Sequence, residues 1–515
     1  MNLDALFINP SDQKAVYQDL SADLTALEPP VWCRLLMSYV RGKGYSADIW
    51  DMQIDSSLTA LKDLIEVDDP RLIVVVVHGN QPSASTQTMP AAIALCKFLK
   101  QNFPDYPLLV VGGHPAALPQ QTLKETGADF VCTGEGPTTV EGLLAILRER
   151  QISRNPNVIP NYAYLLNEVQ GLMGVWDCTI RLTPPAPNIQ DLSEMLGGCW
   201  EMLPMNSYRA HIWHCLGEES RTPYASIYTS LGCPFSCGFC MIQSQFRDGD
   251  GLKFHGAANS YRLWKPKMVI DELTLLQDTY GVRNIKIADE MFVLNREHVE
   301  AISQGIIDRG LDLNVWAYAR VDTVKRGPLS KMKRAGINWL ALGIESASEH
   351  VRDGVEKADY GRKEIVETCR IIREEGINVI GNFIFGLPDD TRATMEETLD
   401  LAQEIMPEWV NFYPCQAYPG SKLYQQALKE GWSLPDTWLG YSMHSYETQP
   451  LPTATLTATD VLEFSDNAFR TYFTSGSYLA MIRRKFGDKA VEQIKAMTAR
   501  RLPRRLLDER EFRCA

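Results

Sequence analysis

The 515-residue sequence lacks several features that would assign it to a specialised class of protein. No apolar run approaches the ~20 residues that a helix needs to cross a bilayer, so we expect no membrane span. The first residues, Met1–Phe7, carry no basic segment, and a signal peptide is not expected. The chain has no long basic run and a formal net charge of −13, which disfavours nucleic acid or an anionic membrane surface as its main partner.

Regularly paired cysteines are also missing. The 12 cysteines are scattered along the chain, which is typical of a protein in a reducing compartment, so we expect a cytoplasmic location. The remaining composition, 45% hydrophobic and 22% charged, is that of an ordinary globular protein. The length predicts two or three domains.

Three cysteines depart from this scatter and form a short motif. Cys233, Cys237 and Cys240 stand at Cys-x3-Cys-x2-Cys spacing, directly after an apolar β-type run at 224–229. Iron–sulfur clusters are usually held by four thiolates, and no fourth cysteine follows at motif spacing. A four-iron cluster on three thiolates keeps one iron open for chemistry. The alternative is a zinc knuckle, but no second cysteine or histidine pair lies nearby in the sequence.

This cysteine motif after a first strand resembles the signature of the radical S-adenosylmethionine (SAM) enzymes. The resemblance implies a [4Fe–4S] cluster held by the three cysteines as metal ligands and catalytic centre. It also implies that the open iron binds the amino and carboxylate groups of SAM. One electron, from a donor of the flavodoxin or ferredoxin type, would then cleave SAM to methionine and a 5′-deoxyadenosyl radical.

Residues 1–150 alternate strand and helix patterns and predict a doubly wound, Rossmann-like or flavodoxin-like α/β domain with five strands. The run 72–78 is nearly all β-branched, as expected for a strand buried on both faces of a parallel sheet. Such sheets bind ligands beyond the carboxyl ends of their strands. Those ends carry a polar loop at 80–85, a Gly-Gly pair and a Gly-Glu-Gly turn.

These loops resemble the cobalamin-binding domains that precede many radical SAM domains. The resemblance implies that the glycine loops line a groove for the nucleotide tail and that the 80–85 loop and the segment 17–30 face the cobalt. The implied cobalamin-binding residues are Asn80, Gln81, Ser83, Gly112, Gly113, Gly134, Glu135 and Gly136. The Asp-x-His-x-x-Gly element that supplies a cobalt ligand in the methionine-synthase type is absent. The sequence therefore does not identify the lower ligand of the cobalt. The alternative is a flavodoxin-like module that binds another ligand or none.

The rest of the chain divides into three further parts. Residues 151–222 lose the periodic pattern and contain many prolines, which predicts a linker. Residues 223–425 repeat strand and helix about six times, which predicts a partial (β/α)6 barrel of the TIM type. Residues 426–515 read as a small helical cap.

Polar residues follow the predicted barrel strands, where the active sites of βα barrels lie. The candidate SAM-binding residues are Asp289, Glu290, Arg320, Asp322, Glu345 and Ser346, and each resembles a position in a family motif. Arg320 can pair with the SAM carboxylate, and Asp289 and Glu345 can accept hydrogen bonds from its amino group or ribose hydroxyls. The alternative is that these charges only form ion pairs at the barrel rim.

Taken together, the chain resembles the cobalamin-dependent radical SAM enzymes. The resemblance implies methylation of an unactivated carbon, or occasionally phosphorus, of a small-molecule substrate, with the methyl group passing through cobalamin. One alternative is a cyclase or ring-rearranging enzyme that uses both cofactors without methyl transfer. Another is a non-catalytic cobalamin- or redox-sensing protein, which the complete cysteine motif disfavours. Nothing in the sequence indicates which substrate is used.

Overall fold

The computed structural model describes residues 3–79, 81, 83–149, 162–195, 198–245, 261–357 and 360–514. They form two sheets flanked by helices and a helical C-terminal region, as the sequence predicts. Within these ranges, none of the helices combines the length and the apolar character required to cross a bilayer.

The first sheet has seven strands in the order β2-β1-β3-β4-β5-β6-β7. Its strands are β1 (Ala5–Asn9), β2 (Ala47–Asp51), β3 (Leu72–Val77), β4 (Leu108–Gly112), β5 (Phe130–Cys132), β6 (Leu172–Trp176) and β7 (Thr179–Leu182). Its helices are α1 (Gln13–Tyr17), α2 (Val31–Gly42), α3 (Leu58–Asp68), α4 (Ala84–Asn102), α5 (Gly113–Ala117), α6 (Pro119–Thr126) and α7 (Pro137–Glu149). The first five strands are parallel, and all five are the predicted ones.

Strand β3 shows why this sheet needs helices on both faces. Its side chains are all buried, and they alternate between two separate cores. Val74 and Val76 pack with residues of α2 and α7, whereas Val75 and Val77 pack with residues of α3 and α4. Because side chains alternate along a strand, a run of β-branched residues fills both cores at once.

The segment predicted as a linker contributes structure that its sequence does not reveal. Strands β6 and β7 form an antiparallel hairpin, and β6 pairs with β5 at the edge of the first sheet. The strands of the hairpin have five and four residues, so each gives only a short sequence pattern. Trp200, Tyr208 and Trp213 further along the segment are buried. The division of the chain into domains stays a prediction.

The second sheet has six parallel strands and curls into a half barrel, in the order β15-β14-β13-β12-β11-β8. Its strands are β8 (Tyr224–Ile227), β11 (Asn284–Ile287), β12 (Asn314–Arg320), β13 (Ile337–Glu345), β14 (Asn378–Phe385) and β15 (Trp409–Pro414). A small ribbon, β9 (Ser230–Leu231) with β10 (Arg262–Leu263), lies beside it. The helices here are α8 (Pro266–Tyr280), α9 (Arg296–Arg309), α10 (Arg326–Arg334), α11 (Glu349–Asp353), α12 (Arg362–Glu374) and α13 (Arg392–Ile405).

The C-terminal region is helical, as predicted. Its helices are α14 (Lys422–Glu430), α15 (Ala458–Phe473), α16 (Gly476–Thr498) and α17 (Arg505–Cys514). The Ser465 hydroxyl in α15 donates a hydrogen bond of 2.9 Å to the Phe412 carbonyl, which attaches this helix to β15. Gly487 interrupts α16 with φ +83°, a left-handed conformation that glycine adopts without strain.

A buried ion pair joins the two sheet regions. Arg34 in α2 lies 2.9 Å from Glu272 in α8, and the two side chains are 1% and 6% exposed. The Trp200 indole donates a hydrogen bond of 3.0 Å to the same carboxylate, and the Arg34 guanidinium stacks 4.1 Å from the Trp200 ring. Both charges are therefore desolvated and depend on each other.

Removing one partner of this pair leaves an uncompensated buried charge. We expect Arg34→Met to lower the free energy of unfolding by about 3 kcal/mol. The matched control is Arg41→Met on the same helix, because the pair that Arg41 forms with Glu201 is largely exposed and such pairs contribute at most ~1 kcal/mol. Urea unfolding followed by circular dichroism measures both variants. Equal stability of the two variants would contradict the role of the buried pair.

Candidate active site

The cysteine loop lies at the carboxyl end of β8 and is fixed to the barrel at several points. The Gly238 amide donates to the Val355 carbonyl at 2.7 Å, and the Gly238 carbonyl accepts from the Leu423 amide at 2.8 Å. The Gln243 side chain donates to the Cys233 carbonyl at 2.6 Å. Loop backbone groups that would otherwise be free are thus satisfied by three different parts of the chain.

Asp289 fixes the start of this loop. Its carboxylate accepts hydrogen bonds from the Thr229 amide and hydroxyl, both at 2.6 Å, and from the Ser230 hydroxyl at 2.7 Å. The side chain is fully buried, and burial raises its pKa to about 6. The sequence predicts Asp289 as a SAM ligand, but the structure shows that its oxygens already bind the residues that lead into the cysteine loop. Its role towards SAM stays a prediction.

The three thiols share a partly buried environment. Burial is the main reason, and the nearby Cys237 a smaller one, that the pKa values of Cys233 and Cys240 are raised to about 12. Among the described residues, no three His, Cys, Asp or Glu side chains converge closely enough to hold a single metal ion. A four-iron cluster makes a different demand, because each thiolate binds its own iron. A cluster would also supply the positive charge that keeps buried thiolates deprotonated.

Glu290 gives a second observation that fits a bound cofactor. Both of its carboxylate oxygens are buried, and neither receives a hydrogen bond of good geometry from the described residues, although the Gly232 backbone lies close. Burial raises its pKa to about 8. Burying carboxylate oxygens without hydrogen-bond donors is costly, unless a bound ligand supplies the donors. The positively charged amino group of SAM would supply such donors to the Glu290 carboxylate.

Arg320 ends β12 beside the cysteine loop. Its guanidinium lies 3.4 Å from the Cys237 sulfur and 3.7 Å from the centre of the Phe235 ring. Two of its nitrogens also bind the Asp322 carboxylate at 3.0 and 3.1 Å. Arg320 and Asp322 thus form an ion pair with each other, as the alternative interpretation expects, and Arg320 presents a cation next to a candidate cluster ligand. The role of both residues towards SAM stays a prediction.

Glu345 and Ser346, the two residues predicted to bind SAM after β13, make different kinds of contact. Glu345 has φ +65°, which is uncommon for a residue with a side chain, and its carboxylate lies 2.6 Å from the Lys357 ammonium. Both side chains are less than a tenth exposed. Ser346 is fully buried, and its hydroxyl hydrogen-bonds Thr398 and the Ser348 amide. Glu345 thus lies in a strained, paired position, whereas Ser346 connects β13 to α13.

The residues predicted to bind cobalamin lie at the carboxyl edge of the first sheet, except Asn80, which falls outside the described residues. Gln81 lines a cavity described below, and Ser83 lies close to the Tyr418 hydroxyl. A Cβ on Gly113 would lie 3.2 Å from the Met241 side chain, so the Gly-Gly pair lies against the segment that follows Cys240.

Packing requires two of the other glycines in these loops, Gly112 and Gly136, but not Gly134. A Cβ on Gly112 would lie 2.0 Å from the Val77 carbonyl oxygen, and one on Gly136 would lie 3.0 Å from Val111. A Cβ on Gly134 would meet nothing within 4 Å, so space for a ligand is open there.

Glu135 between these glycines forms an ion pair with Arg262 of β10, 2.7 Å away, and also accepts from the Ile189 amide at 3.1 Å. It joins the first sheet region to the segment after the cysteine loop. The role of this loop towards cobalamin stays a prediction.

A cavity of about 280 Å³ opens between the first sheet, the inside of the barrel and the C-terminal region. Tyr17, Gln81 and Gln87 line it from the first part of the chain, and Lys286 and Asn411 line it from the barrel. Many of its other walls are aromatic: Trp213, Trp316, Tyr318, Trp409, Phe412, Tyr413, Tyr418 and Phe469. The cavity thus combines an apolar body with a few fixed polar groups, which is typical of a small-molecule site.

Sequence reasoning named Gln81 and the segment 17–30, but it missed Lys286 and the ion pair that Lys286 forms with Glu28 in this cavity. Glu28 lies 3.0 Å from Lys286 and accepts from the Ser226 hydroxyl at 2.8 Å, and the two charged side chains are each 3% exposed. A charged residue between two isoleucines of a predicted strand, Ile285-Lys286-Ile287, was the available signal. The partner could not be found, because it lies 258 residues away.

Comparison with known proteins gives a match both for the first sheet region and for the barrel. A sequence model of the radical SAM superfamily matches residues 227–402, and one of the B12 binding domain matches residues 17–144. The chain is therefore a cobalamin-dependent radical SAM enzyme. The radical SAM domain implies the [4Fe–4S] cluster and SAM, and the B12 binding domain implies cobalamin, which confirms the predicted cofactors.

Several curated proteins are similar to this chain. An uncharacterized methyltransferase of Pyrococcus horikoshii is 28% identical over 80% of this chain and 82% of its own length. An anaerobic magnesium-protoporphyrin IX monomethyl ester cyclase of Cereibacter sphaeroides is 26% identical over 91% and 70%. A hopanoid C-3 methylase of Methylococcus capsulatus is 26% identical over 78% and 69%.

Solved structures share the fold at low identity. The radical SAM methyltransferase TsrM from Kitasatospora setae, with cobalamin and a [4Fe–4S] cluster bound, is 16% identical. It has a TM-score of 0.63 over 92% of this chain and 89% of that chain. The cobalamin-dependent radical enzyme OxsB is 15% identical, with a TM-score of 0.65 over 96% and 70%. At these identities the likeness shows the fold.

The anchoring of the cysteine loop gives a first prediction for this site. Asp289→Leu removes the acceptor of three buried donors, so we expect it to lower the free energy of unfolding by about 3 kcal/mol. The matched control is Glu290→Gln, because the Glu290 oxygens receive no hydrogen bond of good geometry in the described chain, and it should not lower stability. Chemical unfolding of the two proteins makes the comparison, and a Glu290 variant as unstable as the Asp289 variant would contradict it.

The cysteines give a second prediction. Each of Cys233→Ala, Cys237→Ala and Cys240→Ala should lose most of the iron that wild type retains after anaerobic reconstitution, about four atoms per chain. Cys96→Ala is the control, because Cys96 lies in α4, is buried in a core remote from the motif, and should leave iron binding unchanged. Iron and sulfide assays provide the measurement. A Cys237 variant with wild-type iron content would remove that cysteine from the site.

Proposed function

We propose that this enzyme methylates an unactivated carbon, or phosphorus, of a small molecule. The observation that supports a small-molecule substrate is the cavity of about 280 Å³, whose lining comes from the first sheet region, the barrel interior and the C-terminal region. A substrate held there lies between the B12 binding domain and the barrel that carries the cysteine loop. Methyltransferases among the similar proteins, at 28% and 26% identity, support the same chemistry.

In this proposal, residues described above bind each of the three cofactors. Cys233, Cys237 and Cys240 hold the cluster, and the Glu290 carboxylate and the Arg320 guanidinium bind the amino and carboxylate groups of SAM. When bound, the cofactors supply the methyl group and the radical that activates the substrate. The loops around Gln81 and Gly134 receive cobalamin.

The chain itself supplies position and exclusion of water. The aromatic walls of the cavity surround the substrate with apolar surface, which keeps water from a reactive radical. The buried pair of Glu28 and Lys286 holds the segment before α2 against β11, so the wall from the B12 binding domain keeps a fixed distance from the barrel. A fixed distance matters because group transfer requires reacting atoms within about 3–3.5 Å.

A second function deserves comparison because one similar protein, the cyclase of Cereibacter sphaeroides, is aligned over 91% of this chain. A cyclase would use the same cofactors and the same cavity without methyl transfer. The geometry of the cysteine loop is compatible with both reactions. The two differ in what becomes of the SAM methyl group.

Methyl transfer is tested with SAM that carries a trideuterated methyl group. The reconstituted, reduced enzyme is incubated with a small-molecule extract, and the products are analysed by mass spectrometry. We expect a product that carries the deuterated methyl group, together with S-adenosylhomocysteine and 5′-deoxyadenosine. Formation of 5′-deoxyadenosine and a modified product without label or S-adenosylhomocysteine would contradict methylation and favour a cyclase.

A further inference from the structure

Two asparagines form an isolated polar pair on the barrel wall of the cavity. Asn382 in β14 and Asn411 in β15 are direct partners in the register of the two strands, and both line the cavity. The Asn411 Nδ2 donates a hydrogen bond of 2.8 Å to the Asn382 Oδ1. Ile380 and Trp409, the next inward positions on the same strands, are apolar or aromatic. A polar pair in such a wall needs a specific reason, because burying amides without partners is costly.

A tryptophan fixes which way the two amides point. The Trp409 indole donates a hydrogen bond of 3.2 Å to the Asn411 Oδ1, and an indole nitrogen can only donate. The oxygen of Asn411 must therefore face Trp409, which turns its nitrogen towards Asn382. That nitrogen in turn requires the oxygen of Asn382 to face Asn411. The orientation of both amides thus follows from one donor.

The end of this relay is a hydrogen-bond donor without a partner. The Asn382 Nδ2 makes no hydrogen bond within the described part of the chain. The relay prevents the amide from turning to offer its oxygen instead. The cavity wall therefore presents a fixed N–H donor at this position and selects for an acceptor on whatever binds beside it.

The asparagine pair lies at the same level of the barrel as a residue that contacts the cysteine loop. Arg320 pairs with Gly343 across β12 and β13, and Gly343 pairs with Asn382 across β13 and β14. Asn382 therefore lies in the same layer of the barrel as Arg320, whose guanidinium contacts the Cys237 sulfur. A group bound by Asn382 is held at the level of the barrel where the chemistry takes place.

We propose that Asn382 is a specificity-determining residue, which donates its Nδ2–H to an acceptor oxygen on a substrate with a flat apolar body. Trp409 and Asn411 are positioning residues that hold the amide in this orientation. The acceptor is a carbonyl, carboxylate or phosphoryl oxygen, and the aromatic walls receive the apolar body. This inference rests on the proposed function in taking the cavity as the substrate site.

The test uses small probes and the holoenzyme with SAM bound. The probes are benzamide, which carries an acceptor oxygen, and toluene, which has the same ring without one. Ligand-observed NMR gives their dissociation constants. We expect Asn382→Leu to weaken benzamide binding about tenfold, which is the effect of one neutral hydrogen bond, and to change toluene binding less than twofold.

Two further variants separate recognition from mere packing. Asn382→Asp replaces the donor by an acceptor and should strengthen the binding of benzylamine, which offers N–H donors and no acceptor oxygen. Trp409→Phe keeps the ring but removes the N–H that fixes the relay, so we expect a loss of about threefold for benzamide alone. The matched control is Asn378→Leu on the same strand, since Asn378 binds Lys485 and is not among the cavity-lining residues.

Equal benzamide binding by wild type and Asn382→Leu would overturn the inference, as would a wild type that binds neither benzamide nor toluene. These outcomes are distinct from failure of the proposed function. Probe discrimination without transfer of a deuterated methyl group would retain the binding role of Asn382 and remove methylation. Label transfer with no effect of Asn382→Leu on benzamide would retain methylation and remove this role.

Discussion

The hydrogen bonds between the Asp289 carboxylate and residues 229–230 are the contact on which the active site depends. Asp289 follows β11, and Ser230 lies three positions before Cys233, so this contact fixes the cysteine loop to the sheet. A loop that presented three thiols without such an anchor would sample many arrangements and pay the entropy of ordering when a cluster binds. Here the barrel has already fixed where the loop begins, and Val355 and Leu423 fix where it turns.

Three buried ion pairs then hold the B12 binding domain against this barrel. Arg34 with Glu272, Glu28 with Lys286 and Glu135 with Arg262 each join a residue of the first 150 to the barrel or to the ribbon that follows the cysteine loop. Buried pairs add little net stability, since desolvation offsets their attraction, but a mismatched partner is strongly disfavoured. Their effect is therefore to define one arrangement of the two domains, and that arrangement creates the cavity.

The sequence predicts the elements of this structure better than their contacts. The five parallel strands of the first sheet and the six of the barrel are found because runs such as 72–77 are continuously apolar and end at polar or glycine residues. The cysteine loop is found because its spacing is local. Glu135 and Lys286 are understood only in the fold, because their partners lie more than 100 residues away. The hairpin of β6 and β7 is missed because its strands have only five and four residues, which is too short for a clear pattern.

An iron left open by three cysteine ligands is the central claim, and the electron paramagnetic resonance spectrum of the reduced, reconstituted enzyme tests it most directly. A [4Fe–4S] cluster with an open iron predicts that adding SAM shifts the signal, because its amino and carboxylate groups bind that iron. A cluster signal that does not respond to SAM, or the absence of a cluster signal, would contradict the claim.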